Sequence, residues 1–357
     1  MGVRTRGLAN NVLSSGKLDA TDAISGTIAA GNIANASLTS ATTFGSAVGS
    51  VSQVAGDPPA PAEGDIWYNT TTGTLKFRAQ SLGWATGGTM NTGREELNGA
   101  GTQTAGLVFG GYVGGYSALT ESYNGTSWTE VNDLNTARGV PAGIGTQTAA
   151  LSVGGTSGSN ALGNTESWNG TSWTEVNDLN TIKAGAAGIG IQTAALAVSG
   201  NTFPPNTVTV ESWNGTSWTE VGDVNVARYT IAGAGTQTAA VAFGGSDNPG
   251  TRVASTESWN GSAWTEVNDM NVAKQELGSS GTETAALAFA GENNSTANLS
   301  DTESWNGTNW TNENTLNTAR ARVAGFGTQS LALAAGGTVS PNATEEWDYL
   351  ATSLTVG

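Results

Sequence analysis

Neither cysteine nor histidine occurs among the 357 residues. That excludes disulfides, thiolate and imidazole metal ligands, and acid–base chemistry run by imidazole. Charge is sparse and one-sided. Lys and Arg number 13 against 29 Asp and Glu, a net charge of −16, which argues against a nucleic-acid backbone as partner and favours solubility. No apolar run approaches the ~20 residues that a membrane-spanning helix needs. The opening Met1-Gly2-Val3-Arg4-Thr5-Arg6 has no apolar stretch behind it, so no secretory signal is visible. Arg6 also breaks the myristoylation pattern. No cofactor, metal, nucleic acid or membrane insertion is therefore expected.

What is present is a repeat. The stretch Thr165-Glu166-Ser167-Trp168-Asn169-Gly170-Thr171-Ser172-Trp173-Thr174-Glu175-Val176 has Asn-Gly between two alternating runs, a strong hairpin signal. A two-residue Asn169-Gly170 loop would set Trp168 against Thr171 and Glu166 against Trp173, with both indoles diagonal on one buried face. Copies start at Glu121, Glu166, Glu211, Glu257 and Glu303, and a damaged one follows at Glu345-Glu346-Trp347. Between them runs Gly-Thr-Gln-Thr-Ala or a variant, from Gly101, Gly145, Gly190, Gly235, Gly281 and Gly327. A period of about 45 residues means an array or a propeller.

Spacing separates rigid parts from free ones. Trp128 to Arg138, Trp173 to Lys183, Trp218 to Arg228, Trp264 to Lys274 and Trp310 to Arg320 are each ten apart. From each base to the next Gly-Thr glycine is seven. Only the segment from that glycine to the following hairpin changes length, so it holds the free loop of each unit. The last unit lacks its second tryptophan, but near the front Trp84 precedes Arg94 by the same ten residues. A unit split between the two ends is what a closed ring requires, because an N-terminal strand then completes the last blade.

Base, small-residue strand, strand ending in Gly-Gly, Glu-x-aromatic, turn and Trp, as in Arg138 to Gly154-Gly155 to Glu166 to Trp173, resembles a kelch blade from end to end. The resemblance covers about Trp84 to Trp347. It implies an all-β, six-bladed kelch-like β-propeller, closed by an N-terminal strand and preceded by an extended N-terminal arm. Departures are the Asn-Gly turn and the weakened double glycines at Ser199-Gly200 and Ala290-Gly291. The copper-radical oxidases related to this family need His and Cys ligands that this chain does not have.

The front is different in kind. Residues 1–55 space single apolar residues, among them Leu18, Ile24, Ile28, Ile33 and Leu38, through Ala, Ser, Thr, Gly and Asn. That fits neither helix nor strand period and reads as an anchoring or assembly arm, or else a disordered leader. Gly7-Leu8-Ala9-Asn10-Asn11 and Ser25-Gly26-Thr27-Ile28 resemble anchoring and shaft segments of phage tail fibres. Residues 56–63, with Asp57-Pro58-Pro59-Ala60-Pro61, form a stiff Pro-rich spacer. Residues 64–357 make the propeller, with 64–94 a hairpin and closing strand. The hairpin Gly64 to Phe77 resembles a motif of phage fibre proteins, and its second arm and Trp84 to Met90 are the candidates for the closing strand.

Most repeated residues read as structural. Trp84, Trp128, Trp173, Trp218, Trp264 and Trp310 suit blade packing rather than sugar platforms. Arg94, Arg138, Lys183, Arg228, Lys274 and Arg320 pair with the hairpin Glu, or alternatively ring an anion site; the free exchange of Arg and Lys favours the first. Asp133, Asp178, Asp223 and Asp269 read as turn caps rather than calcium ligands. The Asn-Gly-Thr/Ser triplets read as turns rather than glycan acceptors. Recognition belongs to the free loops, where Tyr112, Tyr116, Phe203, Arg252, Asn293 and Asn294 have aromatic or hydrogen-bonding character.

The expected function is a non-enzymatic virion protein: a tail fibre, spike or surface decoration presenting variable loops to a host surface or glycan. Its partners would be other virion or fibril subunits through residues 1–55, with homo-oligomerisation. The alternative is an extracellular bacterial adhesin or self-assembling fibril subunit. A glycan-degrading enzyme needs an asymmetric carboxylate pair, whereas nearly every candidate Glu or Asp, in the hairpins and the Val-x-Asp turns, is repeated from blade to blade.

Overall fold

The computed structural model describes residues 52–55, 66–71, 74–77, 83–248, 250–348 and 353–354. The arm up to residue 51 and the Pro-rich spacer lie outside them. The chain divides into two compact units: residues 1–80 with 350–357, and residues 81–349. The first contains a four-stranded sheet. Ser52–Val54 runs parallel to Ile66–Asn69, which forms the expected hairpin with Thr74–Phe77, and Ser353–Leu354 pairs on the far side.

The second unit is a six-bladed β-propeller of four-stranded antiparallel sheets. In one blade, Ala142–Thr146 is innermost, followed outward by Ala149–Val153, Thr165–Trp168 and Trp173–Val176. The sixth blade takes Ala324–Gly327, Leu331–Ala335 and Thr344–Asp348 from the end of the chain and Gly83–Thr86 from its front, with Trp84 opposite Trp347. Of the two candidates for the closing strand, only the Trp84 segment enters the blade. Its indole packs edge-on against Phe289 at 4.8 Å, and Nε1 donates to Thr302 Oγ1 at 2.8 Å; the Thr74–Phe77 arm has no tryptophan to fill that slot.

The hairpin register differs from expectation. Trp168 lies directly opposite Trp173, and Glu166 opposite Glu175. The loop has four residues because Asn169 acts as a cap: its Oδ1 accepts from the N–H groups of Thr171 and Ser172 at 2.9 Å. Only Gly170 then takes a positive φ, of 90°. The two indoles still share a face, their ring centroids 5.3 Å apart.

Each second strand is covered over its last four residues, because neighbouring blades press on both its faces; Ala150, Leu151, Ala195 and Leu196 are completely buried. Each tryptophan removes about 150–250 Å² from water, on the order of 4–6 kcal/mol as an upper bound. At the axis the inner strands come within backbone distance of one another. A Cβ on Gly143 would sit 2.4 Å from the Gly99 carbonyl oxygen of the preceding blade.

Candidate binding face

The repeated charges turn inward. The ion pairs Arg94–Glu121, Arg138–Glu166, Lys183–Glu211, Arg228–Glu257, Lys274–Glu303 and Arg320–Glu345 span 2.6–3.3 Å, and every basic side chain in them is fully buried. Each base stands on the segment entering a blade, and its Glu on the third strand of that blade. Glu166 shows why nothing is left for a ligand. Its Oε1 accepts from Arg138 and Thr136, its Oε2 from the backbone and side chain of Asn135. Arg138 Nη1 donates to the carbonyls of Gly154 and Asn164 at 2.9 and 2.8 Å, and Nε to that of Thr136 at 3.2 Å. Burial lowers the pKa of these bases and the paired Glu opposes it. Asp133, Asp178 and Asp269 accept from the N–H of Thr120, Thr165 and Thr256, as turn caps do. Among the described residues no group of three or more Asp or Glu is arranged to hold a metal ion.

Antiparallel strand order places the loops between second and third strands at one end of the ring, together with the segments that enter each inner strand. The two sets are stitched by isolated bridges, Glu95 to Tyr112, Gly139 to Thr156, Ala184 to Asn201, Tyr229 to Ser246 and Gln275 to Glu292. One residue further along, at the axis, every blade has a positive-φ position: Glu96, Val140, Gly185, Thr230, Glu276 and Arg322. Their backbones link blade to blade, with N–H of Val140 to O of Glu96 at 2.7 Å and N–H of Arg322 to O of Glu276 at 2.8 Å. The inner strand consequently starts at Ala142, because Gly139 to Pro141 belongs to this collar.

On the collar the six-fold repeat breaks. Arg322 ion-pairs with Glu276 at 2.9 Å, Glu96 at 3.2 Å and Glu95 at 3.3 Å. Burial raises the pKa of Glu96 and Glu276 in spite of the guanidinium. Burial opposes charge on Arg322, but its three carboxylates outweigh that and push its pKa up. The phenol of Tyr229 is also raised, first by burial and then by Glu96 and Glu276. None of Glu95, Glu96, Glu276, Arg322 and Tyr229 was singled out from sequence. The signal was there, since the two residues after each buried base, from Glu95-Glu96 to Ala321-Arg322, vary freely while the base itself and the Gly-Thr glycine seven residues on recur.

The expected loop residues have different fates. Tyr112 and Tyr116 meet edge to face at 5.5 Å in the first blade, with Tyr112 37% exposed. Phe203 stands alone on the third blade, equally exposed, its N–H held by Asn201 Oδ1. Arg252 and Asn294 join the loops of the fourth and fifth blades. The Arg252 N–H donates to Asn294 Oδ1, Asn294 Nδ2 donates back to the Arg252 carbonyl, and Arg252 ion-pairs with Glu292. Asn293 folds its own loop by accepting from Ser295 and Ala297. Comparison with protein-family models and with curated proteins finds no match to this chain.

Proposed function

We propose that this chain is a non-enzymatic virion component, a tail fibre, spike or surface decoration, whose kelch-like propeller presents its loop face to a host surface or glycan. Residues 1–55 would anchor it to other subunits. One observation carries the reading: seven at least partly exposed side chains that break the repeat, Tyr112, Tyr116, Phe203, Tyr229, Glu96, Glu276 and Arg322, share one end of the ring, while most of the repeated ones are spent on packing. A scaffold repeated for stability with one varied end is the form of a recognition module. The leader and hairpin resemblances favour a virion over a free adhesin.

The test is to offer purified full-length protein a panel of bacterial surface polysaccharides, reading both retention and release of reducing ends. Retention without release is expected. Release would make the protein a glycan-degrading enzyme, and no retention would remove the glycan. A chain lacking residues 1–55 should bind equally well but fail to assemble. Fibrils formed by the full chain alone would favour the adhesin or fibril subunit.

A further inference from the structure

The basic residues from Gly83 to Asp348 are Arg94, Arg138, Lys183, Arg228, Arg252, Lys274, Arg320 and Arg322. Six are fully buried in ion pairs, and the two partly exposed ones, Arg252 and Arg322, are held by Glu292 and by Glu95, Glu96 and Glu276. Twenty-four Asp and Glu share that stretch. The propeller therefore offers no unpaired cation to an incoming anion, and its field repels one. Any saccharide it takes must be recognised through apolar faces and hydroxyls.

The first blade supplies both. The loop Tyr112-Val113-Gly114-Gly115-Tyr116 exposes Val113 and has open space at its two glycines, where a Cβ on Gly114 or Gly115 would meet nothing. Tyr112 is open beside it, braced by the ring of Tyr116. Tyr116 and Glu96 converge over Gly139, where a Cβ would lie 2.7 Å from the Tyr116 ring and 2.9 Å from Glu96 Oε2. The same place in other blades holds Glu95, Ala184, Tyr229, Gln275 and Ala321, so the glycine is what lets ring and carboxylate approach there. An exposed ring, braced by a second ring that has a carboxylate beside it, offers a pyranose a stacking surface and a hydroxyl acceptor.

Resting on the glycan reading above, we infer that the ligand is a neutral saccharide, stacked on Tyr112 and donating hydroxyls to Glu96, and that acidic glycans are refused.

The full-length protein would be titrated with dextran, mannan and galactan, and with hyaluronan, alginate and polysialic acid, at low and physiological salt. At least one neutral polymer should bind with little salt dependence and none of the acidic ones should. Tyr112→Ala should weaken that binding by about tenfold or more. Gly139→Ala, whose Cβ displaces Tyr116 and Glu96, should weaken it while circular dichroism shows the fold kept. Acidic polymers bound in preference would overturn the inference yet leave the glycan reading standing. Silence toward both groups would sink the two together. Neutral binding that survives both substitutions would overturn the placement.

Discussion

At the scale of single residues, small departures from the repeat mark where the molecule is less stable than its own pattern allows. Trp128, Trp173, Trp218, Trp310 and Trp84 donate Nε1 to a threonine hydroxyl of the preceding blade, Thr344, Thr120, Thr165, Thr256 and Thr302 respectively. The position facing Trp264 is Val210, and the buried Trp264 Nε1 has no partner. Val210→Thr, nearly isosteric, should stabilise the protein by about 1 kcal/mol in urea unfolding. A second departure is Glu283. Gln147, Gln192, Gln237 and Gln329 donate Nε2 to a carbonyl of the preceding blade's third strand at 2.5 Å, whereas the Glu283 carboxylate has no proton to give and only accepts from Ser258. Glu283→Gln should raise the midpoint of thermal unfolding, by an amount corresponding to about 1 kcal/mol.

Among the elements, the segment that enters each blade is held by charge as much as by apolar contact. Removing one partner of a fully buried pair strands the other, at a cost of about 3–5 kcal/mol. Arg138→Ala and Glu166→Ala should each destabilise by that order, and the double variant by less than their sum, which a double-mutant cycle in denaturant would show. The pairing was legible beforehand, because base and Glu recur in step. The hairpin register was not. Asn-Gly suggests a two-residue turn, but the caps made by Asn169 on Thr171 and Ser172 lengthen the loop and set Trp168 directly opposite Trp173, their rings tilted at 43°. Such a choice turns on one side-chain hydrogen-bonding geometry, which spacing does not encode.

For the whole molecule, stability rests on the joint between chain ends. Tyr123 occupies the position that is tryptophan in the other blades, and its hydroxyl donates to Glu346 of the sixth blade at 2.5 Å while accepting from the N–H of Gly88. Burial, then the hydrogen bond to Glu346, raises the Tyr123 pKa to about 12. A raised pKa in the folded state stabilises below the ordinary phenol value of 10 and is lost as pH rises through about 12. The advantage of the wild type over Tyr123→Phe in unfolding free energy should therefore be constant up to about pH 10 and shrink above it. Deleting residues 1–80 should leave the propeller's melting temperature nearly unchanged. Deleting residues 1–87 removes Gly83–Thr86, uncovers Trp347 and leaves an unpaired sheet edge, so it should aggregate or melt far lower.

The repeat by itself determined the number of blades, the split sixth unit and the inward role of the bases and tryptophans, because each rests on periodicity, and periodic packing leaves a periodic trace. Only the folded ring decided which residues meet on the collar. Arg322 stands far along the chain from Glu95 and Glu96, and closure of the circle, not distance in sequence, brings them within 3.3 Å. Likewise nothing in the spacing marks Gly139, and only the ring and carboxylate leaning over it in the fold give its size a consequence.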